Sequence, residues 1–122
     1  MIVKHSSPGK IFLCGEYMAI EKGLSFLLST NCSVQVSIEK AKRKKNIFFT
    51  SVLGKEYTFE ITDKFDIKWL EKSPGKYGDF LSIATKVLKI RPIGDKISIN
   101  SNLLFNKEKK IGIGSSSAIA VA

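Results

Sequence analysis

A chain of 122 residues, 43% of them hydrophobic, is long enough to bury one core. It contains no run of about 20 apolar residues that could span a membrane, and its N-terminus lacks the apolar segment of a signal peptide. With only Cys14 and Cys32, the chain is predicted to be a reduced cytoplasmic protein without a disulfide framework. Its 20 Lys and Arg against 11 Asp and Glu give a net charge of +9, which raises the question of nucleic-acid binding.

The first half of the chain is predicted to consist mainly of short strands. Six runs rich in β-branched or aromatic residues cover residues 1–4, 10–14, 25–29, 33–39, 46–52 and 56–62. In the fourth run, Val34, Val36 and Ile38 alternate with polar residues, as in a half-buried strand. The basic run at residues 40–45 separates two of the strands. We therefore predict that it is a hairpin connection facing water.

The second half is predicted to add helices to these strands. Residues 66–72 suggest one or two irregular helical turns, residues 96–101 predict a strand, and a last helix begins at Ser115. Residues 79–89 predict a helix with one apolar face, formed by Phe80, Ile83, Ala84, Val87 and Leu88. We expect Trp69 and Phe80 in the core. This order indicates an α+β fold, a mostly antiparallel sheet with helices on one side.

The glycine- and serine-rich segment at residues 112–118 has the residue types of an anion-binding loop. Gly112 and Gly114 lack Cβ, so an anion can approach the backbone there. Ser115, Ser116 and Ser117 supply capping hydroxyls at the start of an apolar helix, whose free N–H groups and dipole favour negative charge. No Lys follows Gly114 and no third glycine follows it, so the segment is neither a Walker A loop nor a dinucleotide fingerprint. A turn that merely caps a core helix explains these residues equally well.

A second segment near the N-terminus favours an anion-binding loop over a turn that merely caps a helix. Pro8-Gly9 is a turn signal and residues 11–14 are a short apolar run, so Lys10 is predicted where a turn enters a strand. A lysine at such a position can offer a compact positive charge to a phosphate oxygen. The alternative is a solvated surface lysine, which is the usual place for this residue type.

Together the two segments resemble the motifs of the GHMP kinases, a family of small-molecule kinases. The first family motif is similar to Pro8-Gly9-Lys10 followed by Gly15-Glu16-Tyr17, and the second is similar to residues 112–118. The segments also stand in the family's order and at its usual interval. Departures are Ile113, where Leu is usual, and Ser117, where Ala or Gly is usual.

Within the family, the details are most similar to phosphomevalonate kinases. Tyr17 stands where many members have His, and the lysine-rich residues 107–110 stand where many members have a Pro. Mevalonate kinases are the next most similar group. The resemblance therefore implies transfer of the γ-phosphoryl group of ATP to phosphomevalonate, with mevalonate or another metabolite as the alternative acceptor.

The resemblance also implies roles for particular residues. Gly112, Gly114, Ser115 and Ser116 would hold the triphosphate of ATP, with Ser117 adding a hydrogen bond and the Ser116 hydroxyl reaching Mg²⁺. Lys10 would lie beside the transferred phosphoryl group and the acceptor oxygen, where it stabilises developing charge.

Two further residues of the first motif receive a less specific role. Glu16 and Tyr17 would be structural or adjacent to the substrate.

For the fold, the resemblance implies that residues 1–122 are the N-terminal ATP-binding domain of such a kinase. That domain is ribosomal-protein-like and contains a left-handed βαβ crossover, contrary to the usual right-handed preference. The family's second, ferredoxin-like domain is absent, and the apolar residues 120–122 contain no signal that ends a helix. We therefore expect a shortened kinase that does not catalyse phosphoryl transfer by itself.

The net positive charge leaves one alternative of another class, a non-catalytic basic domain that binds nucleic acid. Such a domain would be expected to interleave aromatic and basic residues, whereas Phe48 and Phe49 lie in a strand outside the basic run at 40–45. The expected partner is accordingly a small-molecule substrate rather than a nucleic acid or a membrane. The sequence leaves the oligomeric state open.

Overall fold

The structure is a computed structural model that describes residues 1–42, 45–106, 109–110, 112, 118–120 and 122. The chain divides into two compact units. One, here called the sheet unit, consists of Met1–His5 and Val36–Asn100. The other, here called the motif unit, consists of Ser6–Gln35 and Ser101–Ala122.

The main sheet contains six strands in the order β1-β2-β6-β3-β4-β5. They are β1 (Ile2–Cys14), β2 (Phe26–Lys40), β3 (Asn46–Thr50), β4 (Lys55–Ile61), β5 (Ile67–Trp69) and β6 (Asp95–Asn100). The helices are α1 (Glu16–Ile20), between β1 and β2, and α2 (Asp79–Leu88), between β5 and β6. Two short strands, β7 (Phe105–Asn106) and β8 (Lys109–Lys110), form an antiparallel pair of their own.

The strand pairing confirms the α+β class. The β3–β4 and β4–β5 pairs are antiparallel, with Phe59 opposite Asn46 on one side and opposite Trp69 on the other. The β3–β6 pair is parallel, with Phe48 opposite Ile97. Because β3 and β6 are parallel neighbours, the chain between them has to cross over, and α2 is part of that connection. The handedness of the crossover stays a prediction.

The predicted turn at Pro8-Gly9 is wrong, because both residues lie inside the continuous strand β1. Strand β1 stands at the end of the sheet order. An edge strand tolerates proline, since one side of the strand has no ladder hydrogen bonds to lose. The same continuity joins residues 25–29 and 33–39, predicted as two strands, into the single strand β2.

The predicted hairpin at residues 40–45 is also wrong. Strand β6 lies between β2 and β3, so the basic run does not join neighbouring strands. The amide of Ala41, just after β2, donates a hydrogen bond of 2.8 Å to the carbonyl of Gly94, just before β6. Local sequence could not show that a strand about fifty residues later would insert here.

The helical turns predicted at residues 66–72 are replaced by strand β5. Its residue Trp69 packs against Phe48 and Phe59, with ring centroids 5.9 and 5.6 Å away, and lies edge-on to Tyr57 at 6.3 Å. Phe48 and Phe59 are fully buried. Trp69 is itself half-buried, so the expectation that it lies in the core is met only in part, and its packing against these rings favours a strand there over a helix.

The helix predicted at residues 79–89 is confirmed as α2, but its buried face is not the predicted one. Leu81 and Thr85 are buried, whereas Ile83 and Val87 are 60% and 72% exposed. The Thr85 hydroxyl lies 3.2 Å from the Phe65 carbonyl and 3.0 Å from the Ser82 carbonyl, so it can donate to either. A threonine can therefore be buried here without an unsatisfied hydroxyl. Among the described residues, no helix has the length and apolar character needed to cross a membrane.

The contact between Gly78 and Trp69 generates a prediction about stability. A Cβ added to Gly78 would lie 2.7 Å from Trp69 Cζ2 and 2.7 Å from Pro74 Cγ, so we expect Gly78→Ala to displace the indole ring. The substitution should lower the free energy of unfolding by about 1–3 kcal/mol. It should also change the native fluorescence of Trp69, the only tryptophan of the chain.

The matched control is Gly75→Ala in the same turn. Gly75 has φ +60°, and no atom of the described residues lies within 4 Å of its added Cβ. In this variant, backbone strain should lower the free energy of unfolding by about 1–2 kcal/mol, and the fluorescence of Trp69 should remain that of wild type. A wild-type emission spectrum for Gly78→Ala would contradict the proposed contact.

Candidate functional site

Lys10 lies in the middle of β1, with its side chain exposed. Its ammonium group is 5.8 Å from the centroid of the Phe12 ring, two residues further along the strand. Residues two apart lie on the same face of a strand, whereas Ser7 and Gly9, which are buried, lie on the other face. Strand geometry, rather than the predicted turn, therefore presents Lys10 to solvent beside an aromatic ring.

Gly15 has a structural requirement for glycine. Its backbone is left-handed, with φ 78° and ψ 21°, and its carbonyl accepts a 2.9 Å hydrogen bond from the Ala19 amide at the start of α1. A Cβ at Gly15 would overlap the carbonyl oxygen of Leu24 and lie 2.8 Å from the Cα of Ser25. The chain after α1 therefore returns directly against Gly15, where no side chain fits.

Glu16 and Tyr17 form the first turn of α1, and both side chains are exposed, Tyr17 to 82%. The carboxylate of Glu16 lies in the first turn of a short helix. The role of either residue next to a substrate stays a prediction.

Gly112 has the geometry expected of a glycine that a ligand can approach. Its φ is +83°, it is exposed, and no atom of the described residues lies within 4 Å of an added Cβ. It closely follows the β7–β8 pair, in which Asn106 stands opposite Lys109. The backbone at Gly112 therefore takes a conformation that favours glycine and borders open space.

The rest of the predicted loop, Gly114, Ser115, Ser116 and Ser117, lies outside the described residues. After it, residues 118–120 are helical, Ala118 is buried, and the Ala122 amide donates a 3.0 Å hydrogen bond to the Ala118 carbonyl. The predicted start of the helix at Ser115 therefore stays a prediction.

The division of the chain brings the two predicted motifs into one unit. Residues 8–17 belong to the motif unit, and so do the described residues of the second segment, Gly112 and Ala118, although about a hundred residues separate the two segments in sequence. The basic run at residues 40–45 belongs to the sheet unit. Lys10 and Gly112, one from each segment, are thus parts of the same compact unit.

The sheet unit has a cleft of its own, with a volume of about 640 Å³, that the sequence analysis did not predict. Its walls carry both signs of charge: Lys40, Lys42, Lys45 and Lys96 alternate with Glu39, Glu56 and Glu71. Lys96 is 2.6 Å from Glu56, and Lys40 is 2.6 Å from Asp95. A cleft neutralised in this way does not offer the continuous positive groove of a nucleic-acid site.

Comparison with known proteins found no matching family model and no matching curated protein sequence. Solved structures do match. A Listeria innocua protein called Lin0012 aligns with a TM-score of 0.73 at 22% identity, over 100% of this chain and 34% of its own. The mevalonate kinase of Methanococcus jannaschii aligns with a TM-score of 0.66 at 23% identity, over 99% of this chain and 37% of its own.

A third structure is the phosphomevalonate kinase of Streptococcus pneumoniae in complex with phosphomevalonate and AMPPNP. It aligns with a TM-score of 0.65 at 17% identity, over 98% of this chain and 34% of its own. The chain thus has the fold of one part of these kinases, and it spans about a third of the length of the structures that it matches.

The close approach of Leu24 to Gly15 predicts a large effect of substitution. Gly15→Ala should lower the free energy of unfolding by about 3 kcal/mol or more, because a left-handed backbone and an overlap with main-chain atoms both oppose a Cβ. Urea denaturation followed by circular dichroism measures the change.

The control for this prediction is Gly54→Ala. Gly54 also has positive φ, +61°, but no atom of the described residues lies within 4 Å of its added Cβ. Gly54→Ala should lower the free energy of unfolding by about 1–2 kcal/mol. Equal losses in the two variants would show that the Leu24 contact does not constrain Gly15.

Proposed function

We propose that this chain is the nucleotide-binding part of a GHMP-type small-molecule kinase. The observation that carries the proposal is that Lys10 and Gly112, one from each motif segment, belong to one compact unit of a chain that has the fold of part of known kinases. A glycine- and serine-rich turn alone could be an ordinary helix cap. A lysine segment in the same unit, in a fold shared with two kinases, makes a phosphate site the better explanation.

The proposed site binds ATP mainly through the main chain. Amides of Gly112, Gly114, Ser115 and Ser116 would donate hydrogen bonds to the triphosphate, with Ser117 adding one more. Open space in front of Gly112 fits this role, because a phosphate oxygen could occupy the position that a Cβ would fill. The Ser116 hydroxyl would reach Mg²⁺, which usually takes few protein ligands and keeps its remaining positions for phosphate oxygens and water.

Lys10 would act on the transferred group. ATP supplies the γ-phosphoryl group, and the enzyme has to position it and offset the negative charge on its equatorial oxygens. An exposed ammonium group held beside Phe12 can interact with such an oxygen without leaving its strand. We propose that Lys10 is the catalytic residue contributed by this part of the enzyme and that it acts electrostatically.

For the acceptor, we propose phosphomevalonate. The support is Tyr17 in the first motif and the lysine pair of β8, Lys109–Lys110, ahead of Gly112. Mevalonate is the second choice, since the fold is shared with a mevalonate kinase as well as with a phosphomevalonate kinase.

The matched structures are about three times as long as this chain. We propose that the 122 residues form the incomplete N-terminal domain of such a kinase, in the cytoplasm, and that they bind nucleotide without turning over an acceptor. Side chains that contact the acceptor would then be supplied by further polypeptide.

Titration with a fluorescent ATP analogue in the presence of Mg²⁺ tests the site. Lys10→Ala and Ser116→Ala should each weaken binding about tenfold or more, the loss expected for one hydrogen bond to a charged group. Lys4→Ala, which removes an exposed lysine from the same strand β1, is the matched control and should bind like wild type. Wild-type affinity in both site variants would exclude these residues from the site.

A second measurement separates binding from catalysis and from the nucleic-acid alternative. In an ADP-release assay with phosphomevalonate or mevalonate, the 122-residue chain should show no turnover above background, and turnover would disprove the incomplete-domain proposal. Single-stranded oligonucleotide should bind more weakly than ATP. Tighter, strongly salt-dependent oligonucleotide binding would instead support a nucleic-acid-binding domain.

A further inference from the structure

Helix α2 carries an apolar stripe that its own unit does not cover. Leu81 and Thr85 form its buried face, whereas Ile83 and Val87 project on a side about 160° away and are largely exposed. Phe80, at the edge of the same stripe, is half-buried. A helix that is apolar on two opposite sides is normally covered on both of them.

The spacing of the uncovered stripe fits a helix as the covering element. Phe80, Ile83 and Val87 are separated by three and then four residues, which is the spacing of side chains that interlock between paired helices. Ala84 lies beside the stripe, and its small side chain permits close approach of another backbone. The stripe therefore matches a second helix better than a strand or a flat surface.

The charges that border the stripe indicate which helix. Asp79 in the first turn and Lys86 in the last turn lie on the same edge of the stripe, seven residues apart. When α2 is turned end for end against a second α2, Asp79 of each copy comes beside Lys86 of the other. Lys86 is already 2.7 Å from Asp66, but an ammonium group has three donors and can serve two carboxylates.

We infer that α2 is a self-association surface, through which two copies of this chain pair by antiparallel contact of their α2 helices. The apolar contact comes from Phe80, Ile83 and Val87, and the two Asp79–Lys86 pairs set the direction. A contact limited to one ten-residue helix from each copy is smaller than a standard protein interface. The dimer is therefore weak and reversible, with a Kd of about 10 μM to 1 mM. This inference is independent of the proposed nucleotide site.

Sedimentation equilibrium over that concentration range tests the inference. Wild type should show a monomer–dimer equilibrium, and Ile83→Glu should raise its Kd about tenfold or more, because a charge would be buried in the contact. Leu24→Glu is the control, since Leu24 is an 85% exposed leucine in the motif unit and should not affect pairing. A wild-type chain that stays monomeric throughout overturns the inference, as does equal association of Ile83→Glu and wild type.

A charge exchange distinguishes self-pairing from the binding of some other helix. Asp79→Lys and Lys86→Asp should each weaken self-association about fivefold, because each places like charges together twice. Mixed in equal amounts, the two variants should form a heterodimer in which both positions hold an ion pair again. One is the native Asp79–Lys86 pair, and the other joins the Lys introduced in the first variant to the Asp introduced in the second. Failure of the mixture to associate more tightly than either variant alone disproves the antiparallel arrangement. Thermal unfolding of each variant confirms that it remains folded, which matters for Lys86 because of its bond to Asp66.

Discussion

The packing of Trp69 is the interaction on which the sheet unit depends. This side chain, from the three-residue strand β5, contacts Phe48 of β3 and Phe59 of β4 and lies over the position where Gly78 begins α2. One indole ring thus joins two strands to the helix that follows. Aromatic side chains bury large apolar areas, so Trp69 adds side-chain packing to the main-chain pairing that joins β5 to β4. The absence of a Cβ at Gly78 is what allows the helix to begin so close to the ring.

In the motif unit, a main-chain contact has the corresponding role. The left-handed backbone of Gly15 ends β1, begins α1 and receives the returning chain at Leu24. The glycine of the Gly15-Glu16-Tyr17 motif is therefore explained by packing, without any ligand. This changes how the motif is understood, because its glycine positions the chain whereas Lys10, five residues earlier, is the residue to which the proposed function assigns chemistry.

Comparison of sequence and structure shows which patterns are informative in this chain. Local signals predicted α2 and the strands β3, β4 and β6 to within a few residues, because their periodicity or composition is decided by near neighbours. Signals failed where distant residues decide the outcome. Pro8-Gly9 continues a strand because β1 lies at the sheet edge, and residues 67–69 form a strand because Trp69 finds partners on β3 and β4.

The candidate site shows the same division. Lys10 and Gly112 could be chosen from sequence by residue type and by family resemblance, and their membership of one unit is a result of the fold. The partner of Lys10, Phe12, follows from the spacing of two residues along the strand predicted at residues 10–14. The apolar face of α2 was predicted as core because periodicity reports that a face is apolar. It does not report whether the covering surface belongs to the same unit.

The distribution of charge along the chain bears on whether the protein binds a polyanion such as nucleic acid. Most of the excess Lys and Arg residues belong to the sheet unit, where ion pairs such as Lys40–Asp95, Lys86–Asp66 and Lys96–Glu56 neutralise part of them. Exposed pairs of this kind add little stability, but they reduce the local field that a polyanion would need. A net charge of +9 therefore does not imply a nucleic-acid surface. In the site proposed above, a triphosphate would be recognised by main-chain amides and Lys10. Such contacts act over the length of a hydrogen bond and select for the shape of the anion rather than for its total charge.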